Sequence, residues 1–289
     1  MLTQVFHLHA LSALHVGAGQ ALGVVDLPVA RARATNLPLV PGSALKGVLR
    51  DEFAGKDCQQ ALFGPETIVE GTSAHAGAVA FGDAHLLILP VRSLAGISAF
   101  VTCRFVLARY ADDLRRAGAA ADEPPAVPAE VAEGTALVTA KTCLKARDNL
   151  LLLEDLDLQA KAGADLWAEA IAGRTHAGDP DWQSHFKQRF AILSDDDFSF
   201  LADTATEVRA RIRVHDSRGV VQDGHLWYEE NLPAETVLWA AVAAGPARNG
   251  SGLDAQEVLR QFRDGLTGTP TLQIGGKATI GRGLVRLVL

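Results

Sequence analysis

Gly17-Ala18-Gly19-Gln20-Ala21-Leu22-Gly23-Val24-Val25-Asp26-Leu27-Pro28-Val29-Ala30-Arg31 is the stretch on which the fold class turns. Its glycines imitate a dinucleotide-binding loop, but the spacing is GxGxxxG, and a β-branched run and a proline follow instead of an amphipathic helix. A nucleotide-binding βαβ unit needs strand, glycine turn, helix and a distant acid, in that order. The stretch is therefore read as a flexible loop whose small residues let a polymer backbone approach the main chain. Before it, Phe6, Leu8 and Ala10 alternate with His7, His9 and Leu11, a strand with unequal faces. After it, a loop with Pro38 and Pro41-Gly42 ends at Ser43, read as the N-cap of a helix running to about Phe53. Leu45, Leu49 and Phe53 form that helix's apolar stripe, and Ser43, Lys46 and Arg50 share another face.

Farther along, strands are expected over residues 78–81, 85–91 and 99–105. Residues 111–136, rich in Ala, Pro and acid, read as a mobile excursion, and residues 160–190 as a helical insertion. Residues 209–227 read as a hairpin, with Ile212 and Val214 before the turn Asp216-Ser217-Arg218-Gly219 and Val220-Val221 after it. A strand or helix start at 237–242, a helix over 254–264 and a last strand to Leu289 complete the chain, with no internal repeat. Strands at both termini and helices between them predict an α+β fold, one domain over 1–289, and not a doubly wound sheet.

Composition narrows the function classes. Hydrophobic residues are 48% and charged residues 21%, and no apolar run is long enough to span a bilayer. The N-terminus has neither a basic region nor a small-residue cleavage site, so no signal peptide is expected. Cys58, Cys103 and Cys143 are odd in number and lack CxxC spacing, which fits reduced core cysteines and a cytoplasmic protein. The formal charge of −7 argues against nucleic acid, but its distribution does not. Residues 1–50 carry Arg31, Arg33, Lys46 and Arg50 against Asp26 alone, and 271–289 carry Lys277, Arg282 and Arg286 with no acid. Two basic ends thus flank a middle of −13, leaving room for a local anionic ligand.

Three places carry chemistry. The helix from Ser43 offers amide groups, a positive dipole end and the Lys46/Arg50 face to phosphate, or else is an ordinary solvated helix. Gly47 tilts the balance, because a mid-helix glycine weakens the helix unless something lies close. Gly275-Gly276-Lys277-Ala278-Thr279-Ile280-Gly281-Arg282-Gly283 can curve its amides around phosphates, or is a tight turn before the last strand. Asp26, the sole acid of the first fifty residues, either pairs with Arg31 or Arg33 or serves chemistry, and His15 precedes the same loop. No catalytic triad order, HxxxH or Cys/His ligand set appears.

These segments together resemble the RAMP superfamily, and within it the backbone subunit of Cmr-type, type III-B CRISPR effector complexes. The matching blocks are His15-Val-Gly-Ala-Gly19 with Gly23-Val-Val-Asp26-Leu-Pro-Val-Ala-Arg31, Pro41-Gly-Ser43-Ala-Leu-Lys46-Gly-Val-Leu-Arg50, Phe81-Gly-Asp83-Ala-His, Leu89-Pro-Val-Arg92-Ser-Leu-Ala-Gly96, Val101-Thr-Cys103, Leu193-Ser-Asp195-Asp-Asp-Phe198, Leu226-Trp-Tyr228-Glu-Glu230-Asn-Leu-Pro233 and the C-terminal glycine loop. The resemblance implies a ferredoxin-like, RRM-related core with helical insertions and a thumb β-hairpin at 209–227. It implies copies stacked as a filament on a CRISPR guide RNA, with other effector subunits, each copy kinking the guide–target duplex and cutting target RNA in a metal-dependent step. Asp26 falls at the family's catalytic aspartate, as ligand of a divalent ion such as Mg²⁺ or as general base, with His15, Glu229 and Glu230 as auxiliaries. RNA contacts are expected from Gly17, Gly19, Arg31, Ser43, Lys46, Arg50, Arg92, Gly275, Gly276, Lys277, Thr279, Gly281, Arg282 and Gly283. Backbone-directed readout asks for local cations and not a basic pI. The alternatives are a non-cleaving guide-binding scaffold, a CRISPR-RNA processing nuclease and a nucleotide-binding metabolic enzyme.

Overall fold

A computed structural model describes residues 1–20, 24–66, 74–118, 123–215, 217, 221–268 and 271–289. Chain order is β1 (Leu2–Ala10), β2 (Leu39–Val40), α1 (Gly42–Glu52), α2 (Gln59–Phe63), β3 (Val79–Phe81), β4 (Ala84–Arg92), β5 (Ser98–Cys103), α3 (Arg104–Arg116), β6 (Thr135–Val138), β7 (Leu150–Leu153), β8 (Leu156–Ala162), α4 (Asp165–Thr175), α5 (Pro180–Arg189), β9 (Phe190–Leu193), α6 (Asp195–Thr204), β10 (Glu207–Val214), β11 (Val221–Asn231), β12 (Val237–Ala244), α7 (Ala255–Leu266), β13 (Thr271–Gln273) and β14 (Leu284–Val288). The main sheet runs β13-β14-β1-β12-β4-β5-β9-β6-β8-β7, with β2 on β4 and β3 on β12. The stretch β14-β1-β12-β4 is antiparallel throughout, whereas β5–β9 and β6–β8 are parallel, so the sheet is mixed.

Strand β1 sits between two cores. Phe6, Leu8 and Ala10 join Leu45, Leu49 and Phe53 of the α1 segment and Val258 and Phe262 of α7 in one cluster. The opposite faces of the neighbouring strands, with Trp239, meet α3, α4 and α5 in the other. His7 and His9 lie on that second side. They are buried, not solvated, and each finds a partner: His7 Nε2 lies 2.7 Å from the Tyr110 hydroxyl, and His9 Nε2 2.6 Å from Glu235 Oε2. The uneven faces expected from the alternation are both buried because helices cover each of them.

Two expectations change. Residues 111–136 are not one excursion: α3 runs to Arg116, with Tyr110, Ala111 and Leu114 buried, and β6 begins at Thr135. Alanines and acids that read as a loop are the two faces of an amphipathic helix's last turns. Residues 99–105 likewise leave the strand at Cys103, so Phe105 belongs to α3. The insertion at 160–190 is helical in α4 and α5, although residues up to Ala162 still belong to β8. Residues 237–242 are strand. The hairpin is a separate two-stranded sheet, β10–β11, reaching beyond 209–227 at both ends. Its expected turn residues Asp216, Arg218 and Gly219 lie outside the described residues, as does Gly23 of the N-terminal loop.

Burial lowers the pKa of His7 to about 3, helped by the nearby Arg174 charge. Burial, then the charge of His9, brings His176 to about 4. Both values lie below the ordinary 6.5, so below that pH the unfolded chain binds protons that the folded chain refuses. Stability present above pH 6.5 is therefore lost as pH falls toward 4, at about 1.4 kcal/mol per pH unit for each proton. Tm should stay level from pH 7.5 to about 6.5 and fall from there to pH 5, and His7→Gln should make that fall shallower. An unchanged slope in the variant would remove His7 from this account.

Candidate active site

Three consecutive residues of β11, Tyr228, Glu229 and Glu230, organise the site. Along the edge of β11 away from β10, Leu27 pairs in parallel: its N–H donates to the Tyr228 carbonyl at 3.1 Å, and the Glu230 N–H donates to its carbonyl at 3.0 Å. One residue earlier the ladder would need another carbonyl. Asp26 supplies a carboxylate instead, accepting from the Tyr228 N–H at 2.8 Å through Oδ2. The residue is exposed; one carboxylate oxygen is oriented by the strand and the other has no hydrogen-bond partner among the described residues.

Glu230 is spent on structure. Its Oε1 accepts from Arg31 Nη2 at 2.5 Å and its Oε2 from the Val29 N–H at 2.9 Å. Arg31 also donates to the Asn36 carbonyl, the Ala202 carbonyl and Asp203 Oδ1. Side-chain exposure is 17% for Arg31 and 7% for Glu230, so this cation braces the loop from within. The pairing of Asp26 with Arg31 or Arg33, considered from sequence, does not form. Arg33 is exposed and has no ion pair among the described residues.

His15 is held by the same strand, its Nδ1 2.6 Å from the Glu230 carbonyl. A carbonyl only accepts, so Nδ1 carries a proton in this hydrogen bond. A Cβ on Gly17 would lie 2.9 Å from Nε2 of the ring, which is why glycine stands there. The histidine is buried and shaped for support, not for contact with solvent or ligand.

Glu229 points to the opposite face and is also buried. It accepts from Trp227 Nε1 at 2.7 Å and pairs with Lys277 Nζ at 2.9 Å and, more loosely, with Arg211 Nε at 3.7 Å. Burial opposes its charge, but the hydrogen bonds from Lys277 and Trp227 and the Lys277 and Arg211 charges hold its carboxyl below the usual range. Glu229 and Glu230 thus have partners in place of the open lone pairs that an auxiliary acid or base would need. Lys277 stands at φ 70, the left-handed region that a lysine rarely occupies. Its loop packs on the N-terminal one: the Gly276 N–H donates to the His15 carbonyl, and the Gly283 N–H to the Ala13 carbonyl. Gly275, at φ 79, could not carry a Cβ, which would come within 2.2 Å of the His15 carbonyl oxygen. Gly17, Gly19, Gly275, Gly276, Thr279 and Gly281 are exposed, Arg282 is partly buried and Gly283 is buried.

Helix α1 departs from its reading. Its N-cap is Pro41, and Ser43 lies inside the first turn without capping. Asp83 Oδ1 accepts from the Gly42 N–H at 2.8 Å, so a carboxylate already occupies an amide that a phosphate would use. Ser43 is exposed, Lys46 and Arg50 are half-buried without ion pairs among the described residues, and open space surrounds Gly47. Arg92 is exposed at the end of β4, paired loosely with Glu154 and away from the β11 constellation. Among the described residues no three His, Cys, Asp or Glu side chains are arranged to hold a metal ion. Nor is any described helix long and apolar enough to cross a membrane.

Sequence reasoning missed Asp83 as a cap, and Arg211 and Trp227 as partners of Glu229. The alternation Arg209-Arg211-Arg213 in the hairpin was the available signal for Arg211.

With this geometry in hand, comparison with known proteins places the chain. The RAMP superfamily profile matches residues 7–286. The Cmr endoribonuclease Cmr4 of the CRISPR system of Pyrococcus furiosus is 34% identical over 288 residues, covering 98% of this chain and 94% of that protein. Oligomeric Cmr4 from Pyrococcus furiosus superposes with a TM-score of 0.74 at 27% identity, covering 100% of this chain and 97% of that one. A chain of the type III-B Cmr-beta complex bound to cognate target RNA shares the fold, with a TM-score of 0.73 at 21% identity, covering 100% and 97%. The chain belongs to the RAMP superfamily. Within it, the relatives it matches are Cmr4 proteins of CRISPR systems.

The Arg31–Glu230 pair yields a direct test. Glu230→Ala leaves Arg31 with Asp203 and two carbonyls but removes its most buried partner and leaves the Val29 N–H unpaired, a loss of about 1–3 kcal/mol. Thermal denaturation should show a clearly lowered Tm before any RNA is added.

Proposed function

We propose that this chain is a guide-RNA-binding backbone subunit of a type III-B effector complex and cuts guide-bound target RNA at Asp26. The observation that carries the reading is the Asp26 carboxylate: exposed, oriented by the Tyr228 N–H, and held against the hairpin strand at the end of the N-terminal glycine loop. Support comes from the Cmr4 endoribonuclease relative, and self-association is supported by its oligomeric counterpart. The core is read as RRM-related and ferredoxin-like, because β14-β1-β12-β4 is antiparallel and, in sequence, α1 falls between β1 and β4 and α7 between β12 and β14. The hairpin is read as the thumb.

RNA can be cut by attack of its own 2′-hydroxyl on the adjacent phosphate, which requires the strand to be splayed into line. The other Asp26 carboxylate oxygen is suited to receive or orient the hydroxyl proton. A divalent ion such as Mg²⁺ fits only as a shared, largely hydrated ion, since one open carboxylate is present and Glu229 and Glu230 are engaged. Asp26 would hold it, and the ion would supply positive charge at the scissile phosphate. Exposed glycine amides with Lys277, and the Lys46/Arg50 face of α1, are suited to backbone phosphates.

Asp26→Asn should leave assembly and target affinity intact while cleavage falls by at least about a hundredfold, as for loss of a general acid–base group. Single-turnover cleavage and filter binding on one preparation, with and without EDTA, decide it. Near-normal cutting by an intact Asp26→Asn complex would leave a non-cleaving scaffold. Lys46→Ala with Arg50→Ala should weaken binding of unrelated guides equally and reduce the salt slope by about 0.7–0.9 per lost phosphate contact. An unchanged slope in the folded double variant would take α1 out of the guide-binding surface.

A further inference from the structure

We propose that Glu229 is a positioning residue that couples the hairpin to Asp26, fixing which phosphodiester the carboxylate meets. The proposal rests on the cleavage reading above and adds a role for Glu229 distinct from acid–base chemistry.

The geometry begins with β11, whose two edges carry different loads. One edge pairs with β10 from Glu207↔Asn231 to Ile212↔Leu226, so the hairpin moves with β11 as a unit. The other edge carries Asp26 and Leu27 through three hydrogen bonds, all made with Tyr228 and Glu230. A tilt of the hairpin about its root therefore carries the Tyr228 N–H, and with it the Asp26 carboxylate. Nothing in the hairpin's own sheet resists that tilt, because a two-stranded ribbon without a covering layer is marginal alone.

The strand's C-terminal end is held by the Leu14–Leu232 pair and by His15 on the Glu230 carbonyl, and nearer the hairpin the resistance comes from Glu229. Glu229, 1% exposed, ties the hairpin, through Arg211 of β10 and Trp227 of β11, to Lys277 of the C-terminal glycine loop. The lysine is held at a left-handed backbone angle that lysine does not favour, which marks a contact that the surrounding structure enforces. Since the same loop also grips the His15 carbonyl through Gly276, Glu229 anchors the hairpin to the main body. Glu230 on the other face braces the loop that bears Asp26, through Arg31 and the Val29 N–H. The two glutamates fix the two sides of one joint, and Asp26 hangs from the residue before them.

The test uses assembled complexes with guide and saturating target, and reads both the single-turnover rate and the distribution of product lengths. Glu229→Gln should leave target affinity within about twofold, slow cleavage about tenfold and spread the cuts over neighbouring phosphodiesters. A merely structural loss would reduce the amount of competent complex without moving the cut positions. Lys277→Met should reproduce the spread, Lys277→Arg should restore a single position, and the Glu229→Gln/Lys277→Met double variant should be no worse than either alone. A Glu229→Gln complex that cuts at the wild-type position and rate overturns the coupling. Additive losses in the double variant overturn it as well. If Asp26→Asn still cuts, the site assignment itself has failed; if Asp26→Asn is silent and Glu229→Gln normal, only the coupling has.

Discussion

Two buried carboxylates in adjacent positions of one strand are the constraint around which the rest of the site is arranged. Moving an ionised carboxylate out of water costs several kcal/mol unless a cation and hydrogen bonds replace the solvent. Glu229 and Glu230 face opposite sides of β11, so they cannot share a counter-ion, and each requires its own. Arg31 comes from the N-terminal loop and Lys277 from the C-terminal loop. Satisfying these two charges therefore draws both ends of the sequence onto one strand. The backbone just before them offers the Tyr228 amide to Asp26, and the Glu230 carbonyl takes His15.

The hairpin shows how the same alternation sorts surface chemistry. Directly paired residues share a face, so Val208, Ala210, Ile212, Leu226 and Tyr228 lie together on one side. Arg209, Arg211 and Trp227 lie on the other, with Glu229 at the root. Val208, Ile212, Leu226 and Tyr228 are 40–54% exposed, an apolar surface whose reverse carries Arg209 and Arg211 with their partners Glu207 and Glu229. A ribbon only one layer thick thus sets hydrocarbon on one side and ion pairs on the other.

Much of the fold was legible because it depends on local periodicity: β1, β4, the α4–α5 insertion, the hairpin and α7 all announce themselves in alternation or turn residues. Errors arose where a distant partner decides. Ser43 looks like a cap, but Asp83, brought alongside by the sheet, takes the Gly42 amide. Composition hid the end of α3, because Ala111 and Leu114 pack inward while Asp112, Arg115 and Arg116 face outward, and the Pro-rich segment beyond blurs the boundary. For the site, Asp26 stood out as the lone acid among cations. Its orientation did not, since Tyr228 contributes only its backbone. Glu229 and Glu230 read as spare acids because their cations lie in other segments, and the sequence cannot show that the donors of Arg31 are already occupied.

The position of β1 also bears on how the chain acquires its structure. The strand pairs on one edge with β12 and on the other with β14, so both partners emerge from the ribosome long after it does. Until then its unpaired edges and the apolar Phe6, Leu8 and Ala10 have no permanent cover. Pairings between such distant segments carry a large loop-closure cost and form late. The sheet around β1 therefore closes only after β12 and β14 are available, and until then its edges can pair with other chains.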